Sequence, residues 1–400
     1  MSAVIGLVAD AAAWKQTAVV LQQLRDVKTT LPAIVFNTTE LSHFACAAFS
    51  ALGGIRVSLT PEMPVPPVFR IPLKKSHGNI PAWRKLALWA QTSYEKIIYL
   101  DYDVLIMKNI DHMAAFPVDA FTPEVCSYPK CLPDKIPAGL NVGVMIIGPS
   151  KAKYDGLQRY AHERAVEMAA IPQANESERE RFGRFLLGSA EQSFLREFYE
   201  DRMNASISSA NESRRGWDWD TVTFVESGPC KRHIRRDPTW QGCVPAPVHV
   251  LSRRYNARPL DCARCPADID NVIIHYACTI KPWQRTRSDW EGLKWCKPDM
   301  RAGGNVTHPL CEPCLIGLAQ RWFSAEDRMC AELSRAAAAS SSLSSSYEHG
   351  HHQKHSQEWY AALDAAKTDF GLRQALQELP ACAAQSADIS KARIQARLGG

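Results

Sequence analysis

Two aspartates one residue apart, Asp101 and Asp103, close the apolar run Lys96-Ile97-Ile98-Tyr99-Leu100. In an extended strand, residues i and i+2 point to the same side, so both carboxylates can face one ligand. At the carboxyl end of a buried parallel strand they emerge in the crevice where open α/β sheets bind ligands. Two hard oxygen donors there suit Mg²⁺ or Mn²⁺ held against a diphosphate. The spacing alone is weak, because Asp218-Trp219-Asp220 and Asp268-Ile269-Asp270 share it. Only the Asp101 pair follows a strongly apolar strand, which sets it apart from a solvated strand-end turn.

The segments that must position this pair alternate in type. Val4 to Val8 is a short apolar run, and Lys15 to Val27 has helical periodicity through Val19, Val20, Leu24 and Val27. Ala33 to Phe36 is apolar again, Leu41 to Leu52 reads as helix, and Ile55 to Leu59 as strand. Strand, helix, strand, helix, strand predicts a parallel sheet covered by helices. A proline-rich loop (Pro61, Pro64, Pro66, Pro67, Pro72) leads to a helix through Leu86, Leu88, Trp89 and Ala90. Leu140 to Ile147 reads as a buried strand, and Tyr154 to Ala170 and Glu191 to Tyr199 as helices. The polar stretch 203–246 reads as a long loop insertion, and Asn271 to His275 as a short strand.

Four blocks in order carry a resemblance. Arg84-Lys85-Leu86-Ala87-Leu88-Trp89 leads to Lys96 through Asp103, and Asn141-Val142-Gly143-Val144-Met145-Ile146-Ile147-Gly148-Pro149-Ser150 follows. Glu191-Gln192-Ser193-Phe194-Leu195 is the third block. The fourth joins Tyr255-Asn256 to His275-Tyr276 and Lys281-Pro282-Trp283. Together, across residues 85–283, they resemble the glycogenin-like glycosyltransferases of family 8. The resemblance implies a GT-A fold, Rossmann-like, with a mixed sheet flanked by helices. It also implies transfer of a sugar from a UDP-sugar with retention of configuration.

By position, Asp101, Asp103 and His275 resemble that family's manganese ligands, Mg²⁺ being the alternative ion. Imidazole is a softer, borderline donor beside the two carboxylates. Lys281 resembles the pyrophosphate-binding lysine, whose charge would offset that of the departing UDP. Lys85 takes the place of the lysine near the nucleotide sugar, and Asp10, Tyr102 and Val142 fall in the nucleotide-binding blocks. Asn141 and Gln192 resemble the residues that hydrogen-bond the donor hydroxyls, with Gln192 also beside the anomeric carbon and Glu191 next to it. An amide is a poor nucleophile, so a front-face transfer is expected rather than a glycosyl-enzyme. Three positions depart from the family. Glu191 replaces an aspartate, Cys278 replaces a glycine after the metal-binding histidine, and Trp14 stands near where a uracil-side tyrosine belongs.

Composition bounds the rest. The chain has 400 residues, 46% hydrophobic and 22% charged, as globular proteins do. A net charge of +5 over that length is too dilute for a phosphate-backbone-binding face, which argues against nucleic acid as a partner. No apolar run nears the roughly 18 residues of a membrane span, and the N-terminus lacks the basic start of a signal peptide. Thirteen cysteines, most between Cys126 and Cys330, and sequons at Asn37, Asn175, Asn204, Asn211 and Asn305 point instead to a Golgi or other secretory lumen. A cytoplasmic setting is the alternative. Cys262/Cys265 and Cys311/Cys314 read first as disulfide partners and otherwise as a four-thiolate zinc site.

The expected organisation is a GT-A domain over 1–300, a Cys-containing extension over 301–333, a Ser/Ala/His-rich flexible linker over 334–356 and a helical tail over 357–400. Ala336 to Ser346 and His349, His351, His352 and His355 mark the linker, and Trp359, Leu363, Phe370, Leu376 and Leu379 mark the tail. The expected activity is metal-dependent transfer of a hexosyl group from a UDP-sugar to an acceptor glycan, lipid or protein. A self-glucosylating primer and a degenerate sugar-nucleotide or carbohydrate-binding protein are the rival readings.

Overall fold

A computed structural model of the chain describes residues 3–38, 41–59, 83–123, 140–170, parts of 191–199, 221–224, 248–257, 259, 271–276, 281–284, 287–291 and 311–347. Eight strands form one mixed sheet: β1 (Ala3–Ala9), β2 (Ala33–Asn37), β3 (Gly54–Ser58), β4 (Lys96–Leu100), β6 (Ala120–Pro123), β7 (Leu140–Ile147), β8 (Thr221–Phe224) and β9 (Val248–Leu251). Their order is β3-β2-β1-β4-β7-β6-β9-β8. The α/β architecture read from the sequence is therefore present, a mixed sheet flanked by helices. β1, β2, β3 and β4 run parallel, whereas β7 is antiparallel to β4. Two further strands, β5 (Val104–Ile106) and β10 (Ile273–His275), pair antiparallel in a small second sheet.

The pleat sorts side chains into two layers. In β4, Ile98 and Leu100 enter a core with Ile5, Leu7, Val144 and Ile146 under the helices α1 (Trp14–Asp26) and α2 (His43–Ala51). Ile97 and Tyr99 face the other way, into a core with Phe36, Val142, Met145 and Ile147. That second layer is covered by the short 3-10 helix Lys85–Ala90 and by α3 (Lys151–Ala170), through Leu86, Trp89, Tyr154 and Leu157. Strands buried on both faces are the reason these runs are continuously apolar rather than alternating.

β1 has β2 on one side and β4 on the other, so the chain reverses its direction of winding between β1 and β4. The carboxyl ends of two such strands splay a crevice open, the usual place for a ligand in a sheet of this kind. Asp10 follows β1 and Asp101 follows β4. The Asp10 side chain is spent on the turn, where Oδ1 accepts from the backbone N–H groups of Ala12 and Ala13 at 2.8 Å each and so leads into α1. Trp14, four residues on, is buried in the core beneath the sheet instead of facing the crevice.

Two expectations need correction. The Ala- and Ser-rich run from Ala336 to Ser346, read as flexible linker, is helical. It belongs to the long helix α5 (Cys311–Tyr347), which follows a short α4 (Arg287–Glu291). Alanine is the best helix former. The buried stripe Leu315, Leu318, Ala319, Trp322, Ala325, Met329, Leu333, Ala337 has the 3.6-residue period that docks a helix. α5 seals the outside of α1, where Arg328 pairs with Asp26 and Arg25 with Glu332, each at 2.8 Å. The second correction lies in the stretch read as one long loop, 203–246: Thr221–Phe224 is β8, paired antiparallel with β9. Its Thr-Val-Thr-Phe sequence is β-branched and aromatic, which suits a pleated edge. The His-rich patch, the tail beyond Trp359, Cys262/Cys265 and Cys278 lie outside the described residues.

Candidate active site

The chain leaves β4 at Leu100, turns through Asp101-Tyr102-Asp103 and enters β5 at Val104, whose partner across the small sheet is His275. That pairing brings residues 172 positions apart into one cluster: His275 Nε2 lies 3.0 Å from Asp103 Oδ1. It lies 3.8 Å from Asp101 Oδ2. One donor atom from each of Asp101, Asp103 and His275 falls within 4.8 Å of the others. The antiparallel strand β7 closes the third side, with the Asp101 amide donating to the Gly143 carbonyl at 2.8 Å.

Charge in the cluster is balanced by lysines. Lys281 donates from Nζ to Asp103 Oδ2 and to the Tyr276 carbonyl. Burial alone would raise the Asp103 carboxyl, but His275 and Lys281 outweigh it and hold the group well below the usual carboxylate range. Asp103 is therefore held as an anion, the form in which a carboxylate can ligate a cation. Two carboxylates and one imidazole, two hard donors and one borderline, fit a divalent ion of the Mn²⁺ class better than Mg²⁺, which prefers oxygen.

Behind this cluster is a second one that sequence reasoning only half saw. Lys85 is nearly sealed from solvent. It sits between Glu191 Oε1 at 2.6 Å and Asp101 Oδ1 at 3.1 Å, with its ammonium 5.1 Å from the centre of the Tyr99 ring. Desolvation opposes its charge, yet Asp101 and Glu191 together raise its affinity for the proton well above that of a free lysine. Glu191 is equally buried, and that burial lifts its carboxyl, with Lys85 pulling the other way. Tyr99 donates its hydroxyl to Asp101 Oδ1. Residues 99 and 101 share a face of β4, so the strand period could have nominated Tyr99 beside the aspartates. Nothing in the local sequence pairs Lys85 with Glu191.

The remaining predicted residues fall as follows. Asn141 is buried at the start of β7, and its Oδ1 accepts from the Gly143 amide at 2.8 Å. Val142 points into the second core layer. Gln192 is half-buried, next to Glu191. Tyr102 is partly exposed at the mouth; burial of its other part, then Asp103 and Asp101, push its hydroxyl up to about 12. Asp10 lies at the β1 end of the same crevice. Among the described residues, no helix is long and apolar enough to cross a membrane.

Gly143 has a steric duty here. A Cβ on this residue would lie 2.1 Å from Cε1 and 2.5 Å from Nδ1 of His275, so the imidazole occupies the space that any side chain would need. Gly143→Ala is expected to displace the ring and weaken Mn²⁺ binding by about 10- to 100-fold, with an overpacking cost of about 1–3 kcal/mol. A Mn²⁺ titration followed by electron paramagnetic resonance, alongside a thermal melt, checks both. An unchanged affinity would mean that His275 is not a ligand.

No family model matches the chain. Galactinol synthase 5 of Arabidopsis thaliana is 31% identical over 103 residues, covering 19% of this chain and 31% of that protein. Inositol phosphorylceramide glucuronosyltransferase 1, also of Arabidopsis thaliana, is 32% identical over 77 residues, 19% of this chain and 12% of that protein. Galactinol synthase 1 of Ajuga reptans is 26% identical over 159 residues, 34% of this chain and 47% of that protein. The chain thus spans less than half the length of these curated relatives. Among solved structures, the galactosyltransferase LgtC with donor and acceptor sugar analogs aligns over 75% of this chain and 99% of that one, with TM-score 0.37 and 16% identity. GlyE of Streptococcus pneumoniae aligns over 81% and 64%, with TM-score 0.37 and 12% identity. In sequence, then, the chain is similar to family 8 glycosyltransferases, as its motif blocks imply.

Proposed function

We propose that this chain is a metal-dependent, retaining glycosyltransferase of GT-A type that moves a hexosyl group from a UDP-sugar to an acceptor. The observation that carries this reading is the convergence of Asp101, Asp103 and His275, with Lys281 on Asp103, in the crevice between β1 and β4. A cation shared by the two carboxylates would let this crevice take a diphosphate, offsetting the repulsion between carboxylate and phosphate. Asp101, Asp103 and His275 would hold that ion, manganese by the donor chemistry above. Its chemistry when bound is that of a Lewis acid neutralising the leaving diphosphate.

This chain's own residues do the rest. Lys281 stands at Asp103 and supplies a second positive charge for the phosphate oxygens as the glycosidic bond breaks. Lys85 is already shared between Asp101 and Glu191, so Glu191 acts through that lysine by fixing it. Asn141 and Gln192 bind donor hydroxyls, and Asp10 and Tyr102 border the nucleotide, whereas the Val142 side chain is part of the core. In the reaction the bond from the anomeric carbon to the β-phosphate oxygen breaks. A bond to the acceptor oxygen forms on the same face, and the acceptor proton passes to the freed phosphate oxygen. Gln192, an amide, does not need to become a nucleophile for this route.

A buried, disulfide-bonded Cys330 supports a lumenal, oxidising setting such as the Golgi. The test of the function is UDP release from UDP-glucose, UDP-galactose, UDP-xylose and UDP-glucuronate, with and without Mn²⁺. Acceptors in the panel include inositol phosphorylceramide and xylan fragments, which appear in the names of relatives. Mn²⁺-dependent release from one donor is the expected result, with water as the acceptor where no better one is present. Absence of binding and turnover with every UDP-sugar would leave the chain with the fold and without the activity.

A further inference from the structure

His275 reaches the cluster from an edge of the small sheet, and its ring is fixed from both ends. Nε2 faces Asp103, while Nδ1 lies 2.9 Å from Asn256 Oδ1. Asn256 is buried, at 2% exposure, and is not a member of the cluster. We infer that Asn256 is a positioning residue that selects the tautomer and angle of His275 for metal binding, an inference that rests on the metal-dependent reading above.

An amide oxygen can only accept, so the contact with Asn256 Oδ1 places a proton on His275 Nδ1. In the neutral tautomer with its proton there, Nε2 is free to offer its lone pair to an ion shared with Asp103 and Asp101, in place of the Nε2–H contact with Asp103 Oδ1 at 3.0 Å. Without an acceptor at Nδ1, the proton is free to sit on Nε2, where it would donate to Asp103 and block coordination. Ligating histidines depend on such an outer partner for orientation as well as for tautomer.

Asn256 is itself held by the backbone on both sides. Arg254 accepts through its carbonyl from the Val272 amide at 2.8 Å, and Ala257 accepts from the His275 amide at 2.7 Å. Ala257 in turn donates to the Ile273 carbonyl at 3.0 Å and bridges in parallel to Ile274. The segment 254–257 is thus laced to residues 272–275, at Arg254 two residues before Asn256 and at Ala257 one after it. Tyr255 next to it is pinned, with its hydroxyl receiving from Arg254 at 3.0 Å and lying 2.9 Å from His112 Nε2. The opposite face of the imidazole lies on Gly143, which leaves the ring no room to swing away. Four neighbours on three chain segments define one orientation, and of these Asn256 is the one that accepts at Nδ1.

The experiment compares Mn²⁺ affinity at saturating UDP, and the nitrogen modulation of the bound Mn²⁺ in pulsed electron paramagnetic resonance. The proteins are wild type, Asn256→Ser and Asn256→Asp, with His275→Ala as the baseline that lacks imidazole. Serine is too short to reach Nδ1, whereas aspartate keeps an acceptor of the same shape. Asn256→Ser is expected to lose about 10- to 100-fold in Mn²⁺ affinity together with most of the nitrogen modulation, while Asn256→Asp retains both. If Asn256→Ser loses its native near-ultraviolet circular dichroism, Asn256→Gln is measured in its place, since it moves the acceptor by one methylene. A serine or glutamine variant with wild-type affinity and modulation overturns the inference and leaves the function standing. A wild type that binds no Mn²⁺ even with UDP overturns both.

Discussion

Asp103→Asn is expected to lower donor-dependent UDP release by about 10³-fold or more, the largest loss from any single change in the site. The substitution preserves size and one acceptor oxygen but removes the charge that three groups address. Asp103 is a donor in the candidate metal cluster, the partner of Lys281 and the neighbour of His275 Nε2. With a neutral amide there, Lys281 is free to stay on the Tyr276 carbonyl, and the positive charges of the site repel a divalent ion. The loss therefore falls on kcat as well as on metal affinity, and excess Mn²⁺ restores only part of it. UDP release measured against Mn²⁺ concentration, for wild type and variant, separates the two contributions. A variant with activity within about tenfold of wild type would mean that this pair does not carry the metal.

The acid pair was legible because its signal is local: an apolar strand, then two carboxylates with the period of a strand. The neighbouring strands β1, β2, β4 and β7 were legible for a similar reason, since each is a short continuous apolar run bounded by polar residues, whereas the short strands β6, β8 and β9 were not. His275 was found only through its motif block. No local pattern distinguishes it from a core histidine, and its role depends on the pairing of β5 with β10 across 172 residues. Lys85 and Glu191 show the same limit from the other side. Each was singled out, but for contact with the donor, whereas the structure binds each to the other. The additional methylene of Glu191 relative to the family aspartate lengthens the reach of its carboxylate, and that carboxylate is the one in contact with Lys85.

The helix over Ala336–Ser346 is hidden in the sequence by its serine run, which reads as linker, although Leu315, Leu318, Trp322, Met329 and Leu333 trace one helical face leading into it. That face matters to the site. Trp322 of α5 packs on Trp283 at 4.8 Å between ring centres and meets Tyr276 at 6.2 Å. Tyr276 and Trp283 flank Lys281 in the sequence, and Trp283 also approaches Tyr102 at 6.2 Å. A helix outside every motif block thus buttresses the segment that presents the phosphate-facing lysine.

Lys85→Met is expected to be the most destabilising change near the site, costing about 3–5 kcal/mol, because it removes the single cation between two carboxylates and leaves the Glu191 charge buried without a partner. For a domain of about 300 residues that is a fall in Tm of roughly 5–8 °C. The pH dependence identifies the cause. Glu191 in wild type is already raised by burial and pulled back chiefly by Lys85. Without Lys85 its folded-state proton affinity rises further above that of the unfolded chain. A group raised in the folded state favours folding below its unfolded value and loses that contribution as pH rises through its folded value. The variant should therefore recover part of its lost Tm as pH is lowered, because the raised Glu191 carboxyl takes up its proton in the folded chain before it does in the unfolded one. Lys85→Met combined with Glu191→Gln should recover most of the loss at pH 7.5, since a neutral amide needs no cation. Transfer activity should not return in the double variant, because Asp101 still lacks the ammonium at 3.1 Å. Thermal melts of the two single variants and the double at pH 5 and 7.5 form the cycle. Equal destabilisation at both pH values, without rescue by Glu191→Gln, would place the stabilising role of Lys85 in its packing against Tyr99 instead of its charge.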